Sequence, residues 1–176
     1  MARLAAIDPA TATGPARPLL RRAAAPVGSV PNVLRTMANA PAALRGYLAF
    51  EAALSDGALR AGLREQIALA VASAHGCAYC LARHRRLGTL AGLDVGDIAP
   101  AMAGATASDP RAAAALRFAR ALVARRGAVT EDEFTAVRLA GYTDAEIVEI
   151  VVIVGLVTMT NYLALASQVV ADDAPP

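Results

Sequence analysis

Residues 65–84 contain both cysteines, both histidines and one carboxylate of this 176-residue chain. The segment is otherwise rich in Ala and Leu, which favour helix. If the residues after Gly76 are helical, Cys77, Cys80 and His84 occupy positions i, i+3 and i+7, which lie along one face of a helix. The spacing therefore predicts two thiols and an imidazole on one helical stripe.

Cys80 and His84 are separated by one helical turn. An imidazole at i+4 can accept the thiol proton, directly or through water, and leave the thiolate that attacks electrophiles. We therefore assign Cys80 as the attacking thiol. Cys77 lies near the helix start and can close a disulfide with the oxidised Cys80, so we assign it as the resolving thiol.

Glu65 precedes Cys77 by twelve residues, too many for it to share the stripe on one continuous helix. The pair His75-Gly76 can break the chain and fold the first segment back on the second. Glu65 could then face the thiols and either orient His84 or relay protons.

The arrangement of these residues resembles the signature of a known family, the alkylhydroperoxidase D (AhpD)-like, carboxymuconolactone decarboxylase superfamily. The positions that carry the resemblance are Glu65, Ser73, Cys77-Ala78-Tyr79-Cys80 and His84, and, outside this segment, Pro31-Asn32-Val33-Leu34, Tyr47 and Asn161-Tyr162. The likeness covers about residues 28–170. One position departs from it, because the best-studied peroxidases have a histidine where this chain has Tyr79.

In the peroxidase branch, the resemblance implies that Cys80 becomes the sulfenic acid and that Cys77 donates a proton before it forms the disulfide. Glu65 and His84 would make the proton relay. The resemblance also implies an AhpD-like helical bundle with the C-x-x-C near a helix N-terminus, and oligomers built from trimers. The substrate would be a hydroperoxide and the reductant an external dithiol of the lipoyl or thioredoxin type, with no bound cofactor and no metal.

The composition favours an all-α fold. Hydrophobic residues make up 56% of the chain and aromatic residues only 4%, so the core must be built from Ala, Leu and Val in closely approaching helices. The length suits one domain. We predict a flexible N-terminal tail over 1–26, one AhpD-like all-α domain over 27–171, and a C-terminal tail over 172–176.

The last predicted helix runs from about Asp144 to Val170. Its middle, 147–166, is apolar enough to raise the question of a membrane span. Glu149 and Asn161 argue against a span, so we expect a helix buried on all sides. Such a helix in so small a protein favours a homo-oligomer, and the resemblance specifies a trimer or hexamer.

The charge of the chain bears on its partners, and its cysteine content bears on its cellular compartment. All 17 basic residues are Arg, and they are scattered in a chain of net charge +2, so we predict no nucleic-acid partner. Arg83, Arg85 and Arg86 flank His84, where they could attract an anion, but a solvated helix end is the more common explanation. A C-x-x-C without a signal peptide fits a cytoplasmic protein whose thiols cycle.

Several alternatives remain open at this stage. Cys77 and Cys80 could be small apolar residues of an alanine-rich core, or they could bind zinc together with His84 and His75. A thiol-disulfide oxidoreductase would use the same pair without peroxide. A carboxymuconolactone decarboxylase-type enzyme does not require the pair, and a non-enzymatic redox-sensing protein would oxidise without turnover.

Overall fold

The computed structural model describes residues 2–24, 29–103 and 109–172. These residues form nine α-helices and no strand, which confirms the all-α prediction. In chain order the helices are α1 (Ala16–Ala24), α2 (Asn32–Met37), α3 (Pro41–Ser55), α4 (Ala61–Ala74), α5 (Ala78–Leu90), α6 (Val95–Ala103), α7 (Pro110–Ala124), α8 (Glu131–Leu139) and α9 (Asp144–Ser167).

Local sequence signals explain where several helices begin and end. Thr130 and Glu133 form a reciprocal capping box before α8, in which each side chain accepts the other residue's backbone N–H. Thr143 and Glu146 repeat the arrangement before α9. Between these two helices, Gly141 has φ +86°, a left-handed conformation that favours glycine and ends α8.

The chain divides into two compact units, and the larger is Leu54–Asn161. Helix α4 lies at its centre and packs against α5, α6 and α7. Residues 66–72 of α4 are all buried, as expected of a helix surrounded by others. The core also includes the buried side of α9, with Ile147, Ile150 and Ile153. Glu149 of the same helix accepts the N–H groups of Ala58 and Leu59 at 2.7 and 3.0 Å, just before α4.

The smaller unit is Met1–Ala53 with Tyr162–Pro176. The flexible tail over 1–26 stays a prediction, and the described part of that range contains a helix. Helix α1 lies within that range, contacts α2 and buries Leu20 completely. The N–H of Arg3 donates to the carbonyl of Ser167 at 2.8 Å. Pro18 lies in the first turn of α1, where a missing N–H is tolerated.

The predicted boundary between residues 26 and 27 and the end of the predicted C-terminal tail, 173–176, lie outside the described residues. Asp172, the first residue of that tail, accepts the N–H of Asn32 at 2.7 Å. The single domain over 27–171 stays a prediction.

Helix α9 ends at Ser167, three residues before the predicted end. Within one chain, α9 is buried on one side only, because Val148 is 60% exposed and Val151 is 43% exposed. Burial on all sides would require a second chain and stays a prediction. Among the described helices only α9 is long and apolar enough to cross a membrane by length and composition. Half of its most apolar 18-residue window is buried inside the protein, and core helices of soluble proteins meet the same criterion.

Candidate active site

The turn between α4 and α5, called the corner below, positions the residues of the site. His75 ends α4, and Gly76 follows with φ +65°. The N–H of Gly76 donates to the carbonyl of Ser73, and the N–H of Cys77 donates to that of Ala72, both at 3.0 Å. This pair of hydrogen bonds defines a Schellman motif, which reverses the chain at a helix end. The predicted break at His75-Gly76 is therefore confirmed.

The two cysteines sit at the first turn of α5. Cys77 is the N-cap of the helix, and its Sγ accepts the N–H of Cys80 at 3.3 Å. The two Sγ atoms are joined as a disulfide, with the Cα atoms 5.3 Å apart. Cys77 is 1% exposed and Cys80 is 3% exposed. Cys77 thus closes the Schellman motif of α4 and caps α5, while Cys80 lies within α5.

Glu65 and His84 meet across the two helices. The Nδ1 of His84 lies 2.8 Å from Oε2 of Glu65, and the two side chains are 7% and 21% exposed. The predicted fold-back therefore does bring Glu65 to the stripe. A carboxylate can only accept, so this contact assigns the proton of a neutral imidazole to Nδ1. Nε2 is then the nitrogen that can accept a proton from a thiol.

Gly88 allows α5 to approach α4 beside this pair. A Cβ atom at Gly88 would lie 3.1 Å from Cδ1 of Leu93 and 3.7 Å from the Cβ of Glu65. Gly88 follows His84 by one helical turn, and a larger side chain there would press first on Leu93. Sequence analysis missed this residue. The available signal was a glycine inside a predicted helix, which often has a packing reason.

His75 has a partner that the sequence analysis also missed. The amide Nδ2 of Asn161, a fully buried residue of α9, donates to Nδ1 of His75 at 3.0 Å. Burial lowers the pKa of His75, which favours the neutral ring that such a bond requires. The 86 residues that separate His75 from Asn161 left no local signal of the contact.

The remaining candidates lie at the edge of the site. Tyr79 and Arg83 are partly buried, whereas Arg85 and Arg86 are exposed, as expected of a solvated helix end. Within the described ranges, no group of three or more His, Cys, Asp or Glu side chains is arranged to hold a metal ion. The groups brought together are a cysteine pair and a carboxylate–imidazole pair, which can exchange protons and electrons without a cofactor.

Comparisons with known proteins show the fold of this chain and a family that it resembles. Residues 41–121 match the model of the carboxymuconolactone decarboxylase family. The crystal structure of an alkylhydroperoxidase AhpD core, an uncharacterized peroxidase-related protein from Ralstonia eutropha JMP134, is 27% identical with a TM-score of 0.87. That match covers 98% of this chain and 93% of the other.

Two further solved structures share the fold. An uncharacterized peroxidase-related protein from Silicibacter sp. TM1040 is 24% identical, with a TM-score of 0.81 over 96% of this chain and 92% of the other. The debrominase Bmp8 is 20% identical, with a TM-score of 0.77 over 90% of this chain and 86% of the other. No curated protein matches the chain. The family match over residues 41–121 and the structural likeness, together with the C-x-x-C corner, support the resemblance of this chain to the AhpD-like, carboxymuconolactone decarboxylase superfamily.

Proposed function

We propose that this protein is a thiol-dependent peroxidase that reduces alkyl hydroperoxides with Cys80 and Cys77. The observation that carries the proposal is the Glu65–His84 pair, held at 2.8 Å, with the imidazole one helical turn from Cys80. A carboxylate that orients a histidine close to a cysteine is the arrangement that activates a thiol nucleophile. The 27% identical peroxidase-related structure supports this chemistry over the alternatives.

The proposed reaction starts from the reduced pair. Nε2 of His84 takes the proton of the Cys80 thiol, and the carboxylate of Glu65 stabilises the imidazolium through Nδ1–H. The Cys80 thiolate attacks the terminal oxygen of the hydroperoxide and the O–O bond breaks. The alkoxide leaves as the alcohol after it takes a proton from the Cys77 thiol or from the imidazolium, and Cys80 becomes a sulfenic acid.

The second half of the reaction closes the disulfide. The sulfur of Cys77 attacks the sulfenic sulfur of Cys80, and the hydroxyl leaves as water after protonation. The bonded pair in the structure corresponds to this oxidised product. An external dithiol of the lipoyl or thioredoxin type then supplies two electrons and two protons by thiol–disulfide exchange. One hydroperoxide and one dithiol thus give one alcohol, one water and one oxidised carrier.

A second candidate function is thiol–disulfide exchange without peroxide, and the position of Cys77 favours it. As the N-cap of α5, Cys77 accepts the N–H of Cys80 and lies at the positive end of the helix dipole. Both features stabilise a thiolate at Cys77 rather than at Cys80. In this alternative Cys77 attacks a disulfide of the substrate and Cys80 resolves the mixed disulfide.

Steady-state consumption of an alkyl hydroperoxide with a panel of dithiols tests the proposal. We expect turnover that depends on both cysteines and on the dithiol, with Glu131→Gln, an exposed carboxylate of α8, as the matched control for Glu65→Gln. Exchange with disulfides but no peroxide turnover would support the second candidate. Oxidation without turnover would support a redox sensor, and conversion of a cyclic lactone by a Cys77→Ser/Cys80→Ser variant would support the decarboxylase-type activity.

We also propose that the protein works as a homo-oligomer. The exposed apolar side of α9 supports this, since it is the kind of surface that association covers.

A further inference from the structure

Helix α6 packs against α4 and reaches the Glu65 side chain. A Cβ atom placed on Gly88 would lie 3.1 Å from Cδ1 of Leu93 and 3.8 Å from Cδ1 of Ile98. The same point is 3.7 Å from the Cβ of Glu65. Leu93 lies shortly before α6 and Ile98 lies within it, and both are almost fully buried. Two apolar side chains of the α6 segment therefore meet beside the carboxylate-bearing residue of the site.

Helix α4 presents one stripe of residues to α6. Gly62 faces Leu93, because a Cβ atom placed on it would lie 2.9 Å from Cδ2 of that leucine. Three helical turns further on, the hydroxyl of Ser73 donates to the carbonyl of Met102, near the end of α6. Gln66 lies between them on the same stripe, since positions i, i+4 and i+11 fall on one face of a helix.

The packing of α6 on α4 includes a polar atom without a donor. Gln66 is 1% exposed, and its Oε1 is buried with no hydrogen-bond partner among the described residues. Such an acceptor has lost its water and gained no bond in return, so it destabilises the packing in which it lies. The contact between α4 and α6 therefore needs support from other residues.

Arg120 of α7 gives this support at the C-terminal end of α6. Its Nη2 donates to the carbonyls of Ala101 and Pro100 at 2.9 and 3.4 Å. These carbonyls lie in the last turn of α6, where no helical N–H remains to bond them, and the helix dipole favours a cation there. Together, Ser73 and Arg120 satisfy three consecutive carbonyls, those of residues 100–102.

A guanidinium at this position has a cost that the contacts with α6 offset. Arg120 is partly buried, and burial lowers its pKa. In the described part of the chain, no carboxylate forms an ion pair with it. A cation taken out of water without a counter-charge is unfavourable. The carbonyls at the end of α6 are the acceptors that stabilise it.

We infer that Arg120 and Ser73 are positioning residues of the site, which hold α6 beside Glu65 and so keep water from one side of the carboxylate. The inference rests on the proposed proton relay of Glu65 and His84. It adds the residues that act on this relay from a distance, through the packing of α6.

Exclusion of water is the physical link between α6 and the relay. The side chain of Glu65 is 21% exposed, so it already contacts solvent, and the α6 segment covers it on the side of Leu93 and Ile98. The attraction between a carboxylate and an imidazolium weakens as the local dielectric constant rises. Release of α6 would admit water and reduce the help that His84 gives to the Cys80 thiol.

Alkylation of Cys80 by iodoacetamide, in a Cys77→Ser background, tests this link without any peroxide. The rate at neutral pH depends on access to the thiol and on its activation. The rate at alkaline pH depends on access alone, because the thiol then ionises unaided. The neutral rate divided by the alkaline rate, called the activation ratio below, therefore reports activation even in a variant that changes access.

Arg120→Met should lower the activation ratio on the order of tenfold, as loss of an outer partner of an active-site residue does. Ser73→Ala should lower it too, and Arg120→Lys, which keeps a cationic donor, should restore most of the loss. Arg117→Met is the matched control, since Arg117 is an exposed arginine one turn earlier on α7, and it should leave the ratio unchanged. An unchanged ratio in Arg120→Met would overturn the proposal.

A double variant distinguishes positioning from a general loss of stability. Glu65→Gln alone should lower the activation ratio about tenfold. In Arg120→Met the same change should alter it by less than about twofold, because α6 acts through Glu65. If Glu65→Gln keeps its full effect in Arg120→Met, then α6 does not act through the carboxylate and the proposal is wrong.

Hydrogen exchange measured by mass spectrometry tests the attachment of α6 directly. The amides of α6 should exchange faster in Arg120→Met and in Ser73→Ala than in wild type, and at the wild-type rate in Arg117→Met. Wild-type exchange in both of the first two variants would contradict the proposal. If the exchange and the activation ratios change as expected but no hydroperoxide is turned over, the peroxidase proposal fails and the role of Arg120 stands.

Discussion

The α4–α5 corner and helix α9 each depart from the usual pattern of apolar side chains inside and polar side chains outside. The corner buries a polar side chain, and α9 exposes apolar ones. At the corner, His84 is a polar, reactive side chain that is almost fully buried, on the helix that also carries Cys80. On α9, Val148 and Val151 are apolar groups that are exposed. Buried polar groups and exposed apolar rows are the informative exceptions in a folded chain. The corner is therefore the place to look for chemistry, and α9 the place to look for association.

The largest expected effect is a loss of peroxide turnover when a cysteine of the α4–α5 corner is replaced. Cys80→Ser should reduce peroxide turnover on the order of a thousandfold or more, because it removes the proposed nucleophile. Cys77→Ser should still react once and leave a sulfenic acid on Cys80 that a specific probe labels. Mass spectrometry of the labelled proteins and steady-state assays measure both outcomes.

The two serine variants are matched controls for each other, since each removes the same disulfide. A difference in reactivity between them therefore cannot come from lost cross-linking. If Cys77 takes the probe faster in Cys80→Ser than Cys80 does in Cys77→Ser, the N-cap position outweighs the imidazole and the roles of the two thiols are reversed.

The next effect tests whether the imidazole and the carboxylate act as a pair. His84→Ala should slow sulfenic-acid formation at neutral pH by about 10²–10⁴-fold, the range of general-base catalysis. The loss should shrink at alkaline pH, where the thiol ionises unaided. Glu65→Gln should cost less, on the order of 10–100-fold, as expected of a residue that acts through a histidine.

Rapid mixing with a hydroperoxide across a pH series measures these rates. In His84→Ala, the further change Glu65→Gln should have little effect, because the carboxylate has lost the ring through which it acts. Additive losses in the double variant would show that Glu65 acts independently of His84.

A third, smaller effect is on the free energy of unfolding, when the same Val→Ala substitution is made on the buried and on the exposed side of α9. Val154 is 7% exposed in the core, so Val154→Ala should lower the free energy of unfolding by about 2 kcal/mol, from lost methyl burial and the cavity left behind. Val151→Ala on the exposed side should change monomer stability by less than about 0.5 kcal/mol. Urea denaturation of both variants, at concentrations where the chain is monomeric, checks the difference.

The corner could be predicted from sequence because its signals are local. Cys77, Cys80 and His84 fall within eight residues, and the helical period alone aligns Cys80 with His84. Gly76 marks the break that returns Glu65 to His84. Capping boxes at Thr130 and Thr143 are local in the same sense.

What sequence analysis missed depends on distant contacts. The exposed side of α9 could not be distinguished from its buried side, because Val148, Val151 and Ile150 are all apolar and the helix has no polar stripe. The bond between Asn161 and His75 and the packing of α1 through Leu20 are likewise set by tertiary structure. Hydrophobic periodicity identifies the buried face of a helix only where the residue types on that face differ from those on the other faces.

The smallest expected effect concerns the contact that joins the corner to α9. Burial lowers the pKa of His75 below its ordinary value of 6.5, and the Asn161 amide donates to the unprotonated Nδ1. Below pH 6.5 the unfolded chain therefore binds more protons at this residue than the folded one, so stability falls as the pH decreases. Above that pH the contribution is fully present.

His75→Gln tests this contribution, because glutamine keeps a neutral acceptor for Asn161 and cannot be protonated. Urea denaturation of wild type and variant at about pH 7.5 and about pH 5.5 should show a larger loss on acidification in the wild type. The difference between the two losses isolates His75 from the carboxylates that both proteins share. Equal losses would mean that folding leaves the proton affinity of His75 unchanged, and the bond to Asn161 would then contribute nothing to its charge state.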